Sequence, residues 1–387
     1  MPAVVADEPA AGGPVLPAYG GPCIGSLVPA LLRQPGEPVP PWLPAELADA
    51  RQVVLLVLDG IGWHNLHDRA AAAPTLLSGV GRAITSVAPT TTATALTSIA
   101  LGLTPAEHGV LGYRIRLGPD TGTPPVDSEQ VMNVLRWRSE RGDLRRLVRA
   151  EAFQPRPAFR GRQAQAVTRA EFASTGFTAA HLGGARLVGW AVPSTMVVET
   201  RRLLAAGEPF VYAYYDGLDK VAHQYGLGEH YVAELVAVDR LVADLVAALP
   251  PGAALVITSD HGQVEVGANT RLPGPELLAA TALLSGEGRF RWLHARPGAA
   301  ADLLDVAEAL HGSEAWVRSR EQIVDEGWFG GPLPSALAAR LGDVALVAHQ
   351  PVAFLDPADT GETRLASRHG SLTAVEMLVP LLVWPAS

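Results

Sequence analysis

Acidic and histidine side chains occur where three apolar runs of the sequence end. Asp59 follows the first run, Asp219 and His223 lie in the turn after the second, and Asp260 and His261 follow the third. The carboxyl ends of parallel strands meet at one edge of an open sheet, where ligands usually bind. One aspartate at such a place could be an ordinary helix cap. Three such places, two of them with a histidine nearby, instead indicate a metal site.

The spacing of the second group is typical of metal ligation. Asp219 and His223 are four residues apart, so they would share one face of a helix or lie close together in a compact loop. A carboxylate oxygen and an imidazole nitrogen placed in this way suit zinc or a similar ion. His369, which lies in a predicted loop much later in the sequence, would complete a set of three ligands with them.

A cluster of hydroxyl side chains precedes a predicted helix. Pro89 is followed by Thr90, Thr91, Thr92 and Thr94, and then by a run of alanine, leucine and isoleucine. Threonines before a helix are usually caps, whose oxygens accept hydrogen bonds from the N–H groups of the first turn. A hydroxyl at a helix N-terminus also lies in a positive field that favours its alkoxide and a neighbouring phosphate. The cluster therefore contains a candidate nucleophile.

The composition is that of a large globular protein. The chain has 387 residues, of which 48% are hydrophobic and 18% charged, and its apolar runs are too short or too interrupted for a membrane span. The formal charge of −9 argues against general nucleic-acid binding, although a metal-filled site can still receive an anionic substrate. Cys23 is the single cysteine, which excludes an intramolecular disulfide. The N-terminus has no basic region followed by an apolar one, so we expect a cytoplasmic location.

The apolar runs also predict the fold class. Continuous apolar stretches within Val53–Gly60, Phe210–Tyr215 and 253–262 are typical of strands that are buried on both faces. An amphipathic helical pattern at about Tyr231–Ala248 lies between the second and the third. We therefore predict an α/β fold of three layers, α/β/α, in which a mostly parallel central sheet has helices on both faces.

One domain is expected to account for most of the chain. Residues 1–50 are a lead rich in proline and glycine, and residues 51–387 form a single domain in this prediction. Two irregular segments, at about 114–200 and 266–345, would be inserted as a partial cover over the site. In the second segment we predict helices at Ala300–Leu310, Ser313–Arg320 and Leu333–Arg340.

Several conspicuous side chains have no evident partner in the sequence. The arginines of the R-W-R stretch at 136–138 could bind a phosphate, but charged runs mostly face water, and we favour that interpretation. Trp63 and Trp137 could stack on a nucleobase, although tryptophan is more often found in a core. Three histidines lack a partner at ligand spacing, and we expect them to be structural or surface residues: His294, His311 and His349.

Five short motifs occur in an order that resembles the alkaline phosphatase superfamily. They are the aspartate after the first strand, the block P-T-T-T-A-T-A-L…G-L-T-P-A-E-H-G that begins at Pro89, the D-x-x-x-H of Asp219 and His223, the S-D-H-G at 259–262 and the H-G at 369–370. Within the superfamily, the motifs are most similar to those of the nucleotide pyrophosphatase/phosphodiesterase branch, also called type I phosphodiesterases. The resemblance spans about 310 residues.

The resemblance implies a two-metal hydrolase of this fold. Its substrates would be small, nucleotide-like phosphodiesters or pyrophosphates, and Thr92 would be the nucleophile, with Thr91 as the alternative. Attack would give a covalent phospho-threonine that water then hydrolyses. The two divalent ions, zinc or alternatively manganese, would be held by two sets of residues: Asp219, His223 and His369 for one, and Asp59, Asp260, His261 and the oxygen of Thr92 for the other.

One position departs from the pattern of the branch. Its members usually have an asparagine 21 residues after the nucleophile, and this chain has Tyr113 there. Tyr113 or the neighbouring Arg114 could donate to the phosphoryl oxygen instead. An arginine would favour a doubly charged monoester, whereas a neutral donor suits a diester. Lys220, the only lysine, could also reach an anion, although an exposed lysine on a helix is the ordinary case.

Two other classes of function stay open. A phosphomonoesterase or a phosphonate hydrolase of the same superfamily would use nearly the same ligands. The non-enzyme alternative is a catalytically inactive metal-binding protein. A closed structural zinc site needs neither a positioned hydroxyl nor two incomplete ligand sets, and we therefore favour an enzyme. The sequence does not determine the oligomeric state.

Overall fold

Strands and helices alternate along most of the chain. The structure, a computed structural model, describes residues 12–34, 37–122, 129–359, 361 and 364–385. The strands are β1 (Gln52–Leu58), β2 (Val80–Thr85), β3 (Arg114–Leu117), β4 (Gln130–Asn133), β5 (Arg138–Ser139), β6 (Gly142–Asp143), β7 (Gln165–Arg169), β8 (Arg186–Trp190), β9 (Phe210–Tyr215), β10 (Ala253–Thr258), β11 (Val264–Glu265), β12 (Thr270–Arg271), β13 (Thr281–Glu287), β14 (Phe290–Ala295), β15 (Ala315–Ser319), β16 (Val344–Ala348), β17 (Ala353–Phe354), β18 (Ser367–Arg368) and β19 (Leu378–Pro385). The α-helices are α1 (Leu27–Leu31), α2 (Trp63–His67), α3 (Thr92–Leu101), α4 (Pro105–His108), α5 (Ala150–Phe153), α6 (Gly176–His181), α7 (Pro193–Ala205), α8 (Gly217–Tyr225), α9 (Glu229–Ala247), α10 (Pro275–Ala280), α11 (Ala300–His311), α12 (Arg320–Asp325), α13 (Ser335–Ala338) and α14 (Ala374–Met377).

A seven-stranded, mostly parallel sheet positions the predicted site residues. Its strand order is β2-β19-β10-β1-β9-β7-β8. β1 pairs in parallel with β9 and β10, and β7 pairs in parallel with β8 and β9. β19 is antiparallel to both β10 and β2. The five neighbouring strands from β10 to β8 therefore end at the same edge, and the sheet confirms the predicted fold class.

Helices cover both faces of this sheet. Successive side chains of β1 point to opposite faces, and Leu55 and Leu56 accordingly join two different hydrophobic cores. The first core includes Ile99 of α3, and the second includes Leu235 of α9. Burial on both faces explains why the central strands read as continuous apolar runs. None of the described helices is long and apolar enough to cross a membrane.

The first predicted cover segment, at about 114–200, divides between two sheets. β3 to β6 form a small antiparallel sheet, but β7 and β8 join the edge of the central sheet. The sequence of β7, Q-A-V-T-R, is short and has polar residues at both ends. It therefore lacks the continuous apolar run that predicts a buried strand, although most of β7 is buried. Before β1, Ile24, Leu27 and Val28 are buried in the core that also contains α3. Residues 1–11 of the proline- and glycine-rich lead lie outside the described residues.

The second predicted cover segment, at about 266–345, is built around an antiparallel sheet of order β13-β14-β16-β15. The predicted helix at Ala300–Leu310 is α11, and the one at Leu333–Arg340 shortens to α13. The helix predicted at Ser313–Arg320 is wrong, because β15 occupies most of that stretch and pairs with β16. A helix begins only at Arg320, where the Ser319 side chain accepts a hydrogen bond from the backbone of Gln322.

Candidate active site

The predicted ligands come together at the carboxyl edge of the central sheet. Asp59 follows β1 and Asp260 follows β10, and these strands are neighbours in the sheet. α8 begins after β9 and carries two more of the ligands. The side chains form two groups in which the ligand atoms lie within 4.8 Å of one another: Asp219, His223 and His369, and Asp59, Asp260 and His261.

The first group combines one turn of helix with a distant loop. Asp219 Oδ1 lies 3.2 Å from His223 Nε2 and 3.8 Å from His369 Nε2. The helical spacing within α8 places the first two side chains on one face. Gln263 Nε2 donates a hydrogen bond of 2.6 Å to Asp219 Oδ1, and Gln263 Oε1 accepts one of 2.9 Å from Ser367. These bonds fix the orientation of the Asp219 carboxylate.

The second group is buried, and one oxygen of each of its carboxylates lacks a hydrogen-bond donor within the described part of the chain. His261 Nε2 lies 3.3 Å from Asp59 Oδ1 and 3.4 Å from Asp260 Oδ2. Tyr214 donates a hydrogen bond to the other oxygen of Asp59. Asp59 Oδ1 and Asp260 Oδ2 have no hydrogen-bond partner among the described residues, although both are fully buried. Buried oxygens of this kind require a counter-charge, so the donor set fits a divalent cation.

Backbone carbonyls orient all three histidine rings. A carbonyl oxygen can only accept, so the Nδ1 atom that faces it carries a hydrogen, and in the neutral ring Nε2 is left with a lone pair. In each ring, Nε2 is the atom that faces a carboxylate of its group. The rings of His261 and His369 stack with centroids 3.4 Å apart, which joins the two groups. The Nδ1 contacts are His223 to Ser367 O at 2.8 Å, His261 to Gly262 O at 3.0 Å and His369 to Thr90 O at 2.7 Å.

The electrostatics of the second group favour a bound cation. Burial raises the pKa of Asp59 well above its usual range, and the charges of Asp260 and Asp219 raise it further. Burial also raises the pKa of Asp260. For His261, burial acts to lower the pKa, but Asp260 and Asp59 outweigh it and raise the value to about 10. A divalent cation in this position would relieve the repulsion between the carboxylates.

The pKa of His369 shifts in the opposite direction from that of His261, because no nearby carboxylate outweighs its burial. Burial lowers the pKa of His369 well below its usual range, and the nearby His261 and His223 lower it further. His369 is therefore neutral at neutral pH. A neutral imidazole is the form that binds a metal ion, so the burial of this ring suits its place in the first group.

Thr92 is the threonine that lies against the second group. It is the first residue of α3, and its hydroxyl is 3.2 Å from His261 Nε2. Thr91 is the cap residue before it. Thr90 has another role, because its hydroxyl donates to Ser371 O at 2.7 Å and accepts from the backbone of Gly370 at 3.0 Å. Thr90 thus ties the start of α3 to the loop that carries His369.

Close packing explains why the D-H-G motif ends in glycine. The Gly262 backbone N–H donates to Glu376 O at 2.9 Å. A Cβ atom on Gly262 would lie 1.9 Å from the carbonyl oxygen of Val375. Only glycine allows the loop with Asp260 and His261 to pack this closely against the start of α14.

Two cavities open beside Thr92. The Phe172 cavity, of about 230 Å³, is lined by Phe172 and other residues of the β7–α6 region together with Thr92 and Asp219. The Arg136 cavity, of about 280 Å³, is lined by Arg136 and the loop around His369, again with Thr92 and Asp219. Leu135 also lines both. A substrate could therefore place different parts on the two sides of Thr92.

The three predicted substrate-binding residues have different surroundings. Tyr113 lines the Arg136 cavity, and its hydroxyl accepts a 2.5 Å hydrogen bond from Asn133 Nδ2. Lys220 lines the Phe172 cavity, and its ammonium group is 2.6 Å from Asp216 Oδ2. Arg114 lines neither cavity; its guanidinium binds Asp356.

Trp63 and Trp137 do not line either of these cavities. Trp137 is buried and donates from its indole nitrogen to Val148 O at 2.7 Å. Sequence reasoning missed the residues that support the ligands, among them Tyr214 and Gln263. A signal existed for Gln263, which follows the D-H-G motif directly, whereas nothing in the sequence distinguishes Tyr214 from other strand residues.

Comparisons with known proteins give a family and a shared fold. A family model described as type I phosphodiesterase / nucleotide pyrophosphatase matches residues 53–372. Human ectonucleotide pyrophosphatase / phosphodiesterase 5 has a similar structure, with a TM-score of 0.64, 16% identity and coverage of 86% of this chain and 88% of that chain. An inactive threonine-to-alanine variant of the murine protein, in complex with AMP, is similar, with a TM-score of 0.61 and 16% identity. The match covers 86% of this chain and 87% of that chain.

A bacterial enzyme with a different activity has a comparable fold. Phosphonoacetate hydrolase from Sinorhizobium meliloti, in complex with phosphonoacetate, gives a TM-score of 0.60, 20% identity and coverage of 87% of this chain and 90% of that chain. Structural likeness at such identities shows a shared fold. Among curated proteins, none matches the sequence at a significant level.

Proposed function

The chain belongs to the type I phosphodiesterase / nucleotide pyrophosphatase family, and on this premise we propose that it hydrolyses phosphodiester or pyrophosphate bonds of small, nucleotide-like substrates through a phospho-threonine at Thr92. The observation that carries the proposal is the position of the Thr92 hydroxyl, 3.2 Å from His261 and at the junction of two cavities. The murine relative, of which an AMP complex and an inactive threonine-to-alanine variant are described, supports the same assignment.

Two divalent cations complete the proposed site. Zinc suits ligand sets of histidine nitrogens and aspartate oxygens, and manganese is the alternative. When bound, such ions polarise phosphoryl oxygens, favour the threonine alkoxide and neutralise the leaving group. We assign one ion to Asp219, His223 and His369, and the other to Asp59, Asp260, His261 and the hydroxyl oxygen of Thr92.

The protein's own residues supply the nucleophile and its surroundings. Thr92 Oγ1 loses its proton to solvent and forms a bond to phosphorus, while the bond from phosphorus to the leaving oxygen breaks and that oxygen takes up a proton from water. Water then cleaves the phospho-threonine and restores the hydroxyl. The N-terminus of α3, where Thr92 is the first helical residue, presents backbone N–H groups to the negative charge that develops.

The surroundings of the phosphoryl site favour a diester over a monoester. The neutral hydroxyl of Tyr113 lines the Arg136 cavity, whereas the charge of Arg114 is held by Asp356 outside it. Lys220 lies 2.6 Å from Asp216, which also binds Arg169 at 2.6 Å. Arg136 and Arg368 line the Arg136 cavity, so positive charge is available there to either kind of ester, and the preference for a diester depends on the neutral donor at Tyr113. The apolar part of the Phe172 cavity also suits an ester with an organic substituent.

The test compares a bis-nitrophenyl phosphate diester with the corresponding monoester on zinc-loaded protein. We expect faster cleavage of the diester, loss of turnover in Thr92→Ala with metal content preserved, and retained turnover in the matched control Thr91→Ala. Intact-mass analysis of quenched wild-type reactions should detect a phosphoryl adduct that Thr92→Ala lacks. Faster monoester cleavage would establish the phosphatase alternative, and unchanged turnover in Thr92→Ala would exclude this nucleophile.

The remaining alternatives give different results in the same experiment. Cleavage of phosphonoacetate with no cleavage of either nitrophenyl ester would identify a phosphonate hydrolase. Stoichiometric metal binding without turnover of any of the three compounds would identify a catalytically inactive metal-binding protein.

A further inference from the structure

The Phe172 cavity is apolar over most of its wall. Leu96, Leu135, Phe172, Phe177 and Leu182 contribute to it, and the predicted nucleophile and two of the predicted metal ligands also line it. With a volume of about 230 Å³, the cavity is smaller than typical sites for drug-sized ligands, which begin at about 300 Å³. It has room for a compact ring system and for little more.

Polar side chains also line the cavity, among them Thr168, His181 and Tyr212. Each of these three is more than nine-tenths buried. Within the described part of the chain, the hydroxyl of Tyr212 has no hydrogen-bond partner. The hydroxyl of Thr168 and Nε2 of His181 also make no hydrogen bond within the described residues, but unlike the Tyr212 hydroxyl these two atoms are not fully enclosed. Polar groups in protein interiors are rarely left unpaired, so a ligand or water that enters the cavity would complete Thr168 and His181.

The His181 ring presents a hydrogen-bond acceptor. Its Nδ1 lies 2.8 Å from the carbonyl oxygen of Phe177, one turn earlier in α6. A carbonyl can only accept, so Nδ1 carries the hydrogen. Burial lowers the pKa of His181 to about 4, which keeps the ring neutral at neutral pH. Nε2 therefore has a lone pair and no hydrogen, and it can pair only with a donor.

Packing holds this acceptor in a fixed place. The His181 ring stacks on Phe177, with centroids 4.1 Å apart and an interplanar angle of 16°. Thr175 caps α6 by accepting a hydrogen bond from the Thr178 backbone. At the start of the same helix, a Cβ atom on Gly176 would lie 2.3 Å from the indole of Trp137, so the two are packed in direct contact. The wall with His181 is thus formed before a ligand arrives, which lowers the entropic cost of binding.

We propose that the Phe172 cavity binds the organic group of the substrate, and that this group is a compact ring bearing an N–H or O–H donor for His181 Nε2. The inference rests on the proposed function, because the ring would be joined through an ester oxygen to the phosphorus that Thr92 attacks. Thr168 supplies the second polar contact, since its hydroxyl can donate or accept. A ring without a donor would displace water and leave the His181 acceptor unpaired, which is costly in a buried site.

Direct binding tests this selectivity without requiring turnover. The probes are phenylphosphonate, its three hydroxyphenyl isomers and the corresponding methoxyphenyl compounds, titrated into zinc-loaded protein by calorimetry. We expect at least one hydroxyphenyl isomer to bind about five- to tenfold more tightly than both phenylphosphonate and its methoxy counterpart, as one hydrogen bond would give.

Two substitutions locate the effect in the cavity. His181→Phe should abolish the advantage of the hydroxyl isomer and leave the affinity for phenylphosphonate within about twofold. Thr168→Val, which preserves the size of the side chain, should reduce the advantage and serves if His181→Phe fails to fold. His230→Phe is the matched control, since His230 is exposed on α9, and it should keep the full preference.

The outcomes separate this inference from the proposed function. If the wild type cleaves diesters but no hydroxyl isomer is preferred, or if the preference survives in His181→Phe and Thr168→Val, the inference is wrong and the proposed function stands. If a preference that depends on His181 is found in a protein that cleaves no phosphate ester, the cavity assignment stands and the proposed reaction is wrong.

Discussion

Arg289 and Glu376 form a buried, bidentate ion pair. It joins the turn between β13 and β14, in the four-stranded antiparallel sheet, to the loops of the candidate site. The two N···O distances are 2.9 and 2.7 Å, and the side chains are 1% and 0% exposed. Glu376 Oε1 also accepts from the Ser371 backbone at 3.0 Å, two residues after His369. Its own carbonyl accepts from Gly262, directly after His261. One residue thus supports both loops that carry histidine ligands.

Breaking this ion pair should destabilise the protein and weaken metal binding together. Arg289→Met leaves the Glu376 carboxylate buried without its partner, a change that typically costs about 3–5 kcal/mol of unfolding free energy. Urea unfolding of the metal-loaded and metal-free proteins measures this cost, and a competition assay with a chelator measures metal affinity. We expect a loss of affinity because the backbone of the His369 loop loses its fixed acceptor.

The double variant Arg289→Met/Glu376→Met provides the decisive comparison. It removes both charges, so it should be more stable than Arg289→Met alone. Arg318→Met is the matched control: it breaks a partly exposed pair with Glu326 at 3.1 Å and should cost about 1 kcal/mol or less. A double variant less stable than Arg289→Met would contradict the view that an unpaired buried charge causes the loss.

Removal of a single hydroxyl should separate metal binding from folding. Tyr214 donates to Asp59, whereas Tyr215, the next residue in β9, donates to Glu234 at 2.5 Å on the other side of the sheet. Tyr214→Phe should lower metal affinity by about 10- to 100-fold, as is usual when the hydrogen bond to a ligand is lost. Tyr215→Phe should leave it unchanged. Equal effects in calorimetric zinc titrations of the two variants would exclude a specific role for Tyr214.

The neighbours Tyr113 and Arg114 should differ in what they affect. Tyr113→Phe removes the neutral hydroxyl from the Arg136 cavity and should lower kcat/KM for the diester by about tenfold, as the net loss of one hydrogen bond would give. Arg114→Met removes the ion pair with Asp356 and should lower thermal stability, with kcat/KM at 20 °C changed by less than about threefold. Selective loss of monoester cleavage in a fully folded Arg114→Met protein would instead assign Arg114 to the phosphoryl group.

The sequence predicted the parts of the site that depend on local order. Asp59 and Asp260 follow continuous apolar runs, and such runs become neighbouring parallel strands whose ends meet. Asp219 and His223 lie one helical turn apart, so their proximity follows from spacing alone. The structure brings each of these side chains into one of two compact groups.

The contacts that depend on distant packing could not be predicted. The partner of Arg114 is 242 residues away, and that of Arg289 is 87 residues away. No local pattern indicates which acid an arginine will meet after folding. β15 was predicted as a helix for a similar reason, because its pairing with β16 overrides a weak local propensity. The fold class did not depend on such details, since it follows from the long apolar strands.

The burial of His181 in the Phe172 cavity should make the stability of the protein depend on pH. Burial lowers the pKa of His181 to about 4, while the hydrogen bond to Phe177 acts weakly in the opposite direction. His181 therefore binds a proton with a pKa of about 6.5 in the unfolded chain but only with a pKa of about 4 in the folded protein. Stability from this residue is fully present above that window and is lost as the pH falls through it.

Between pH 7 and pH 5 the wild type should lose about 2 kcal/mol more unfolding free energy than His181→Phe. Charged groups that line the same cavity, namely Asp59, Asp216, Asp219 and Lys220, are present in both proteins, so their titration largely cancels in the difference. Urea unfolding at the two pH values measures this difference, and equal losses would show that the imidazole is protonated in the folded state.

The ligand preference should follow the same protonation of His181. Because Nε2 is an acceptor only in the neutral ring, the preference for hydroxyphenylphosphonate should stay constant from about pH 6 to 8 and decline only where the folded protein protonates His181.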